Sequence, residues 1–112
     1  MNEADEMPEG ANVIIAGAGR IGGLVDRIAR AAGYQTTVID YSSRRLDIMA
    51  RFGARLYYGD ATRPDLLHAA GIAEAKVLVV AIDDREGITQ IVHHVTSTYP
   101  NVHVIARATD RD

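Results

Sequence analysis

Residues 13–22 read VIIAGAGRIG, a short apolar run that ends on the spacing G-x-G-x-x-G. An amphipathic helical pattern follows at once, so this stretch predicts a strand, a tight turn and a helix. Gly17 would let the chain turn off the strand, Gly19 would remove the Cβ that blocks a pyrophosphate, and Gly22 would let the helix pack close to the sheet. The free amides at the helix start would then face an anion. The stretch therefore predicts a nucleotide-binding α/β fold.

The composition is that of one small domain. The chain has 112 residues, 47% of them hydrophobic, and it has no cysteine, which excludes disulfides and thiolate metal sites. A net charge of −3, without a basic block on one predicted face, argues against nucleic acid as a partner. Residues 1–10 hold four of the fifteen acids and lack apolar periodicity. We expect a flexible acidic tail or linker there and the folded domain over residues 11–112. No apolar run approaches the ~20 residues of a membrane span.

Strand and helix signals alternate along the rest of the chain, which is typical of a parallel sheet. The apolar runs predict strands over residues 13–16, 35–39, 54–58, 77–82 and 102–106. Helices are predicted over about 21–32, 43–52, 63–70 and 84–99. Right-handed crossovers then give a doubly wound, Rossmann-like sheet with the strand order 3-2-1-4-5. We expect its usual sixth strand to be truncated.

Two local patterns give further predictions. Apolar side chains at spacings of three and four predict one buried stripe on the first helix, with Asp26, Arg27 and Arg30 outside it. The stripe consists of Ile21, Leu24, Val25, Ile28, Ala29 and Ala32. Thr62, ahead of Pro64, is predicted to cap the third helix with its hydroxyl.

Charged residues follow the predicted strands at the edge of the sheet where ligands bind, in the crevice between strands one and four. Asp40 ends the second strand eighteen residues after Gly22, near the usual position of an acid that binds a ribose; the alternative is an ordinary solvated Asp. Asp60 and Asp83 either contact the nucleotide or serve a turn and a helix start. Arg20 either pairs with a phosphate or lies on the surface.

A carboxylate at position 40 would discriminate between cofactors. At ~4 Å and an effective dielectric of ~20, it would repel a ribose 2′-phosphate by about 4 kcal/mol. Arg44 and Arg45 are near enough in sequence to soften that repulsion.

Several catalytic arrangements are missing from the sequence. Lys76 is the only lysine, so there is neither a Tyr-x-x-x-Lys pair nor a Walker lysine, and no G-x-S-x-G elbow is present. His93 and His94 are adjacent on a predicted helix, where they diverge by about 100° and do not share a metal. The sequence favours binding without catalysis and predicts no metal site.

The run FGARLYYGDATRPDLL over residues 52–67, followed by Ala70-Gly71, is more specific than the glycine motif. Together with residues 77–84 and 105–108, it resembles the nucleotide-binding regulatory domains of potassium transport, called TrkA-N, KTN or RCK. Among these, the resemblance is greatest to the cytoplasmic domain of Kef-type, glutathione-gated potassium efflux systems. It covers about residues 12–110.

This resemblance implies a ligand-gated module that binds AMP or NAD(H) beneath a transmembrane potassium/proton antiporter, at the cytoplasmic face of the inner membrane. It also implies a homodimer in the full-length protein, with glutathione as a further effector there. The implied phosphate contacts are Gly17, Gly19, Arg20, Ile21 and Gly22. Asp40 would hold the ribose, Asp60, Ala61 and Thr62 would line the adenine side, and Asp83 and Arg107 would complete the site.

Two other functions stay open. The chain could be the dinucleotide-binding half of an NAD-dependent dehydrogenase, in which case a substrate domain would follow it. It could also be a soluble Trk-type regulatory subunit of potassium uptake, which keeps the binding chemistry and changes the partner.

Overall fold

One parallel sheet organises the computed structural model, which describes residues 12–107. Its strands are β1 (Asn12–Ala16), β2 (Gln35–Asp40), β3 (Arg55–Tyr58), β4 (Val77–Val80) and β5 (His103–Ala106). The helices are α1 (Arg20–Ala31), α2 (Ser43–Ala50), α3 (Pro64–Ala69) and α4 (Arg85–Thr98), and the described residues also include an unpredicted 3₁₀ turn, Ile72–Glu74. The strands lie in the order β3-β2-β1-β4-β5, all parallel, which confirms the predicted fold class. The predicted tail, residues 1–10, lies outside the described residues.

The central strand β1 is covered on both faces. Val13 and Ile15 pack into the cluster that includes α2, whereas Ile14 and Ala16 pack into the cluster that includes α3 and α4. All four side chains are buried. Burial on both faces explains why the strand reads as an unbroken apolar run.

Helix α1 turns a different side to the sheet from the one predicted. Ile21, Leu24 and Ile28 are 40%, 48% and 61% exposed, whereas Asp26, predicted to lie outside the stripe, is 1% exposed. The reason lies in Gly22, which faces Ile15 of β1 and lets the helix approach the sheet along its glycine side. The predicted buried stripe is therefore wrong at Ile21, Leu24, Ile28 and Ala32, which are exposed, and the predicted outward position of Asp26 is wrong as well.

Two partner residues make the burial of Asp26 tolerable. Its carboxylate accepts a hydrogen bond of 2.5 Å from the Thr36 hydroxyl of β2, and it pairs with Arg30 at 2.8 Å. The Arg30 guanidinium also donates to the Phe52 carbonyl beyond α2. A buried carboxylate with these partners joins α1 to β2 and, through Arg30, to the end of α2.

Side chains cap the starts of α2 and α4. The Ser42 hydroxyl accepts from the Arg45 amide at the start of α2, and Asp84 accepts from the Gly87 amide at the start of α4. The predicted cap of α3 by Thr62 is wrong, because α3 begins after Arg63 and has no side-chain cap. The Thr62 hydroxyl instead donates to the carboxylate of Asp60, two residues earlier.

No helix within residues 12–107 is both long and apolar enough to cross a membrane.

Candidate functional site: a cavity at the carboxyl ends of the strands

Backbone hydrogen bonds continue the strand pairing just beyond the sheet and align the segments that leave it. The donor and acceptor pairs are Gly17 to Ile39 and Ala81 to Ala16, both 2.8 Å, Gly59 to Asp40, 2.9 Å, and Arg107 to Val80, 3.2 Å. The segments after the five strands therefore reach the same edge together.

A cavity of about 1080 Å³ opens at this edge. Ten of the eleven residues predicted for the site line it; Gly22 does not, because it packs under the turn. The lining residues are Gly17, Gly19, Arg20, Ile21, Ile39, Asp40, Tyr41, Arg45, Gly59, Asp60, Ala61, Thr62, Ala81, Ile82, Asp83, Asp84, Gln90 and Arg107. A volume of this size lies near the upper end of the range for small-molecule and cofactor sites.

The three glycines of the loop after β1 meet different steric requirements. Gly17 has a φ of +114°, and a Cβ there would lie 3.0 Å from the Ala81 backbone, so the turn needs glycine on two counts. At Gly19 a Cβ would have only the Arg45 Nη1 atom near it, at 3.9 Å, because the position faces the open cavity. At Gly22 a Cβ would overlap the Gly17 carbonyl oxygen.

The start of α1 supplies hydrogen-bond donors beside the cavity. The Gly23 amide donates to the Gly19 carbonyl, 2.8 Å away, as the first bond of the helix. The amides of the preceding turn have no intrahelical acceptor, and residues 19–21 line the cavity. This arrangement attracts an anion.

Asp40 is buried and ties the glycine loop to the turn after β2. It is 4% exposed, its Oδ1 accepts from the Ala18 amide at 2.9 Å, and its Oδ2 accepts from the Ser42 amide at 2.8 Å. Arg45 lies 3.9 Å from Oδ1. The alternative of an ordinary solvated aspartate is therefore wrong. Each carboxylate oxygen keeps further acceptor capacity for a ligand hydroxyl.

Asp60 forms a tight turn with Thr62. The Thr62 amide donates to its carboxylate at 2.9 Å and the Thr62 hydroxyl at 2.8 Å. These bonds, the amide first and the hydroxyl second, hold the pKa of Asp60 below its usual value. The carboxylate is therefore ionised at neutral pH and is an acceptor at the wall of the cavity.

Asp83 and Arg107 pair with each other across the cavity mouth, at 2.7 Å. The helix-start role considered for Asp83 belongs to Asp84, which caps α4. The pair is solvent-exposed, so it contributes about 0–1 kcal/mol, and an anionic ligand can take over Arg107 at little cost.

Eight of the lining residues were not predicted as ligand contacts, among them Tyr41, Arg45 and Gln90. Tyr41 directly follows Asp40 and is 69% exposed, so its position in the sequence was a usable signal. Arg45 was considered only for its charge. Gln90 lies one turn into α4, and no local pattern marks it. Within residues 12–107, no group of three or more histidine or acidic side chains could hold a metal ion.

These features together define the class. A glycine-rich turn after β1, an acid at the end of β2 and a cavity where the strand order reverses are the marks of Rossmann-like nucleotide-binding domains. The chain belongs to the TrkA-N domain family, whose model matches residues 13–112. This confirms the family inferred from the sequence.

Similar proteins and structures narrow the comparison. The chain is 43% identical over 111 residues to the glutathione-regulated potassium-efflux system protein KefC of Cronobacter sakazakii, covering 98% of this chain and 18% of that protein. A solved Kef C-terminal domain of Shewanella denitrificans, in an AMP-bound form, shares 41% identity at a TM-score of 0.79, covering 88% of this chain and 60% of that one. The TrkA-N domain of the Escherichia coli inner membrane protein ybaL shares 26% identity at a TM-score of 0.83, covering 93% and 77%. The chain thus spans about a fifth of the length of the KefC relatives that it matches.

Proposed function

We propose that this chain is the nucleotide-sensing regulatory domain of a Kef-type potassium efflux system and that it binds AMP in the cavity. The observation that carries the proposal is the cavity itself, which combines free helix-start amides, a buried carboxylate and a wall of small residues. The AMP-bound form of the Shewanella denitrificans domain, at 41% identity, supports the choice of ligand.

In the bound state the AMP phosphate lies against the amides of residues 19–21, with Arg20 as its countercharge. The ribose hydroxyls donate to Asp40. The adenine lies along Asp60, Ala61 and Thr62, where the ionised Asp60 accepts from the exocyclic amine. NAD(H) is the second ligand we propose, because the cavity continues to Asp83, Gln90 and Arg107 and has room for a dinucleotide.

Binding acts on transport through a difference in affinity. AMP or NAD(H) shifts an equilibrium between closed and open states of a potassium/proton antiporter only if it binds the two states unequally. We propose that the antiporter is the transmembrane portion of the whole protein, with this domain at the cytoplasmic face of the inner membrane. Homodimerisation and glutathione as a second effector are proposed for that whole protein.

The chemistry of the cavity supports binding without catalysis. None of its lining residues is a histidine, serine, cysteine or lysine, and the hydroxyl of Thr62 with the carboxylate of Asp60 forms the tight turn described above. In this proposal, the regulatory signal is the occupancy of the cavity by the ligand, which is bound and not converted.

Calorimetric titration of the chain with AMP and with adenosine tests the proposal. We expect AMP to bind at least about 100-fold more tightly than adenosine, because adenosine lacks the anion that the helix-start amides and Arg20 receive, a loss of about 3 kcal/mol. Equal affinities for AMP and adenosine, or no binding of AMP, would contradict the proposed site.

NADPH should bind at least about tenfold more weakly than NADH, because its 2′-phosphate would approach the buried Asp40 carboxylate, with Arg45 offsetting part of the repulsion.

A further inference from the structure

Tyr41 is an exposed aromatic residue in the wall of the nucleotide cavity. It is 69% exposed and lines the cavity next to Asp40 and Gly59. Among the described residues, no aromatic ring packs on its ring and no arginine lies over its face. Exposed tyrosines are common on protein surfaces, but this ring lies at a ligand cavity and has a face that the described chain leaves open.

The backbone on both sides of Tyr41 is held by hydrogen bonds. The Asp40 carbonyl accepts from the Gly59 amide at 2.9 Å, and the Asp40 carboxylate accepts from the Ser42 amide at 2.8 Å. The Ser42 hydroxyl in turn accepts from the Arg45 amide at the start of α2. Because its neighbours are anchored, Tyr41 presents its ring from a fixed backbone, and a ligand does not have to order this turn on binding.

The segment that follows β3 forms the neighbouring wall of the cavity. Strands β2 and β3 end level with each other, so Tyr41 and Gly59 leave the sheet side by side. Gly59 and Ala61 carry no bulky side chain, and both line the cavity. Between them lies Asp60, whose carboxylate is ionised at neutral pH. A flat group placed here therefore meets an aromatic face, small residues and a hydrogen-bond acceptor.

We propose that the base of the bound nucleotide stacks on Tyr41 and that this contact makes the site selective for purines. The inference rests on the proposed nucleotide function and goes beyond it, because the contacts proposed above are polar ones to the phosphate, the ribose and the exocyclic amine. Every base offers a face to an aromatic ring, and the two fused rings of a purine cover more of the ring than a pyrimidine does. Tyr41 thus binds the face of the base, and Asp60 binds its edge.

Calorimetry with variants of two tyrosines tests the stacking. Tyr41→Ala should weaken AMP binding at least about tenfold, because it removes the ring. Tyr41→Phe should bind AMP within about twofold of the unaltered chain, because stacking needs the ring and not the hydroxyl. Tyr58→Ala is the matched control. Tyr58 is 68% exposed at the end of the neighbouring strand β3 and does not line the cavity, so its loss should leave AMP binding unchanged.

Ligands that lack one part of AMP separate the contacts. IMP keeps the purine ring but lacks the exocyclic amine, so Tyr41→Ala should weaken IMP binding by the same factor as AMP binding. Ribose 5-phosphate has no base, so its binding, followed by the shift of the Gly19 amide, should be equal in Tyr41→Ala and in the unaltered chain. This measurement also shows that the variant keeps its fold and its phosphate contacts.

Comparison of AMP with CMP tests the selectivity for purines. The unaltered chain should bind AMP at least about tenfold more tightly than CMP, and Tyr41→Ala should reduce this ratio to about threefold or less. Equal affinities of the unaltered chain for AMP and CMP would overturn the purine selectivity.

The remaining outcomes distinguish the stacking from the function on which it rests. If Tyr41→Ala binds AMP as tightly as the unaltered chain does, or if Tyr41→Phe loses as much affinity as Tyr41→Ala, the stacking is wrong while the nucleotide function stands. A loss of NADH affinity without a loss of AMP affinity would place the nicotinamide at Tyr41 and overturn the proposal. An equal loss of ribose 5-phosphate binding would reduce Tyr41 to a structural role. If the unaltered chain binds none of these nucleotides, the proposed function fails, and the stacking fails with it.

Discussion

Replacing Gly22 by alanine is expected to lower the free energy of unfolding by about 3 kcal/mol. A Cβ at this position would overlap the Gly17 carbonyl oxygen and lie 2.9 Å from the Gly17 carbonyl carbon. Both atoms belong to a turn already fixed by a positive φ and by the Gly17 hydrogen bond to Ile39, so the backbone cannot move aside without breaking the strand-end pairing. Urea unfolding of the two proteins gives the difference.

The neighbouring glycine is the matched control. Gly23 is also inside α1, but a Cβ there has open space, so Gly23→Ala should raise the free energy of unfolding by about 0.5–1 kcal/mol through better helix propensity. Changes of opposite sign in the free energy of unfolding at two adjacent positions would distinguish the effect of packing from that of helix propensity. Similar changes at both glycines would contradict the packing assigned to Gly22.

Replacing Gly19 by valine is expected to weaken AMP binding at least about 100-fold with little loss of stability. Gly19 has an ordinary φ of −77°, and its Cβ position faces the cavity with only the Arg45 guanidinium near it. The variant would therefore fold like the unaltered chain, and the valine side chain would occupy the volume that the phosphate needs. The free energy of AMP binding would lose about 3 kcal/mol in charge-assisted hydrogen bonds. Calorimetry measures the affinity, and urea unfolding confirms that the fold is intact.

Gly23→Ala also serves as the binding control, because Gly23 does not line the nucleotide cavity. Its AMP affinity should equal that of the unaltered chain. If Gly19→Val binds AMP as tightly as Gly23→Ala does, the phosphate does not lie at the glycine loop.

The fold could be predicted because local signals and topology agree. The apolar run at β1 is long enough to need burial on both faces, and the turn at Gly17 needs a positive φ, so the sequence constrains strand and turn at the same place. Once the elements alternate, right-handed crossovers leave few strand orders. The same reasoning placed ten residues of the candidate site around one cavity, because the segments that follow parallel strands meet at one edge.

What could not be predicted depends on contacts between distant residues. The helical spacing of Ile21, Leu24 and Ile28 indicates an apolar side but not whether the chain's own sheet covers it, and the burial of Asp26 depends on Thr36 and Arg30. Asp40 was predicted from its position alone. Its bond to the Ala18 amide, which makes it part of the loop as well as of the site, arises from the pairing of β1 with β2.

The pairing of Asp83 with Arg107 could not be predicted either, because it also joins residues that are distant in the sequence. The two residues are 24 positions apart and become neighbours only where β4 and β5 end together. Each was predicted to face the ligand, and both line the cavity, but in the structure described here each is the other's partner.

Amide chemical-shift mapping of the ¹⁵N-labelled chain tests most directly whether a nucleotide phosphate lies on the start of α1. On addition of AMP, we expect the largest shifts at the amides of Gly19, Arg20 and Ile21, and adenosine should leave these three amides nearly unchanged while still shifting Thr62. Shifts confined to residues outside the cavity, or equal shifts at the three amides with AMP and adenosine, would contradict the account.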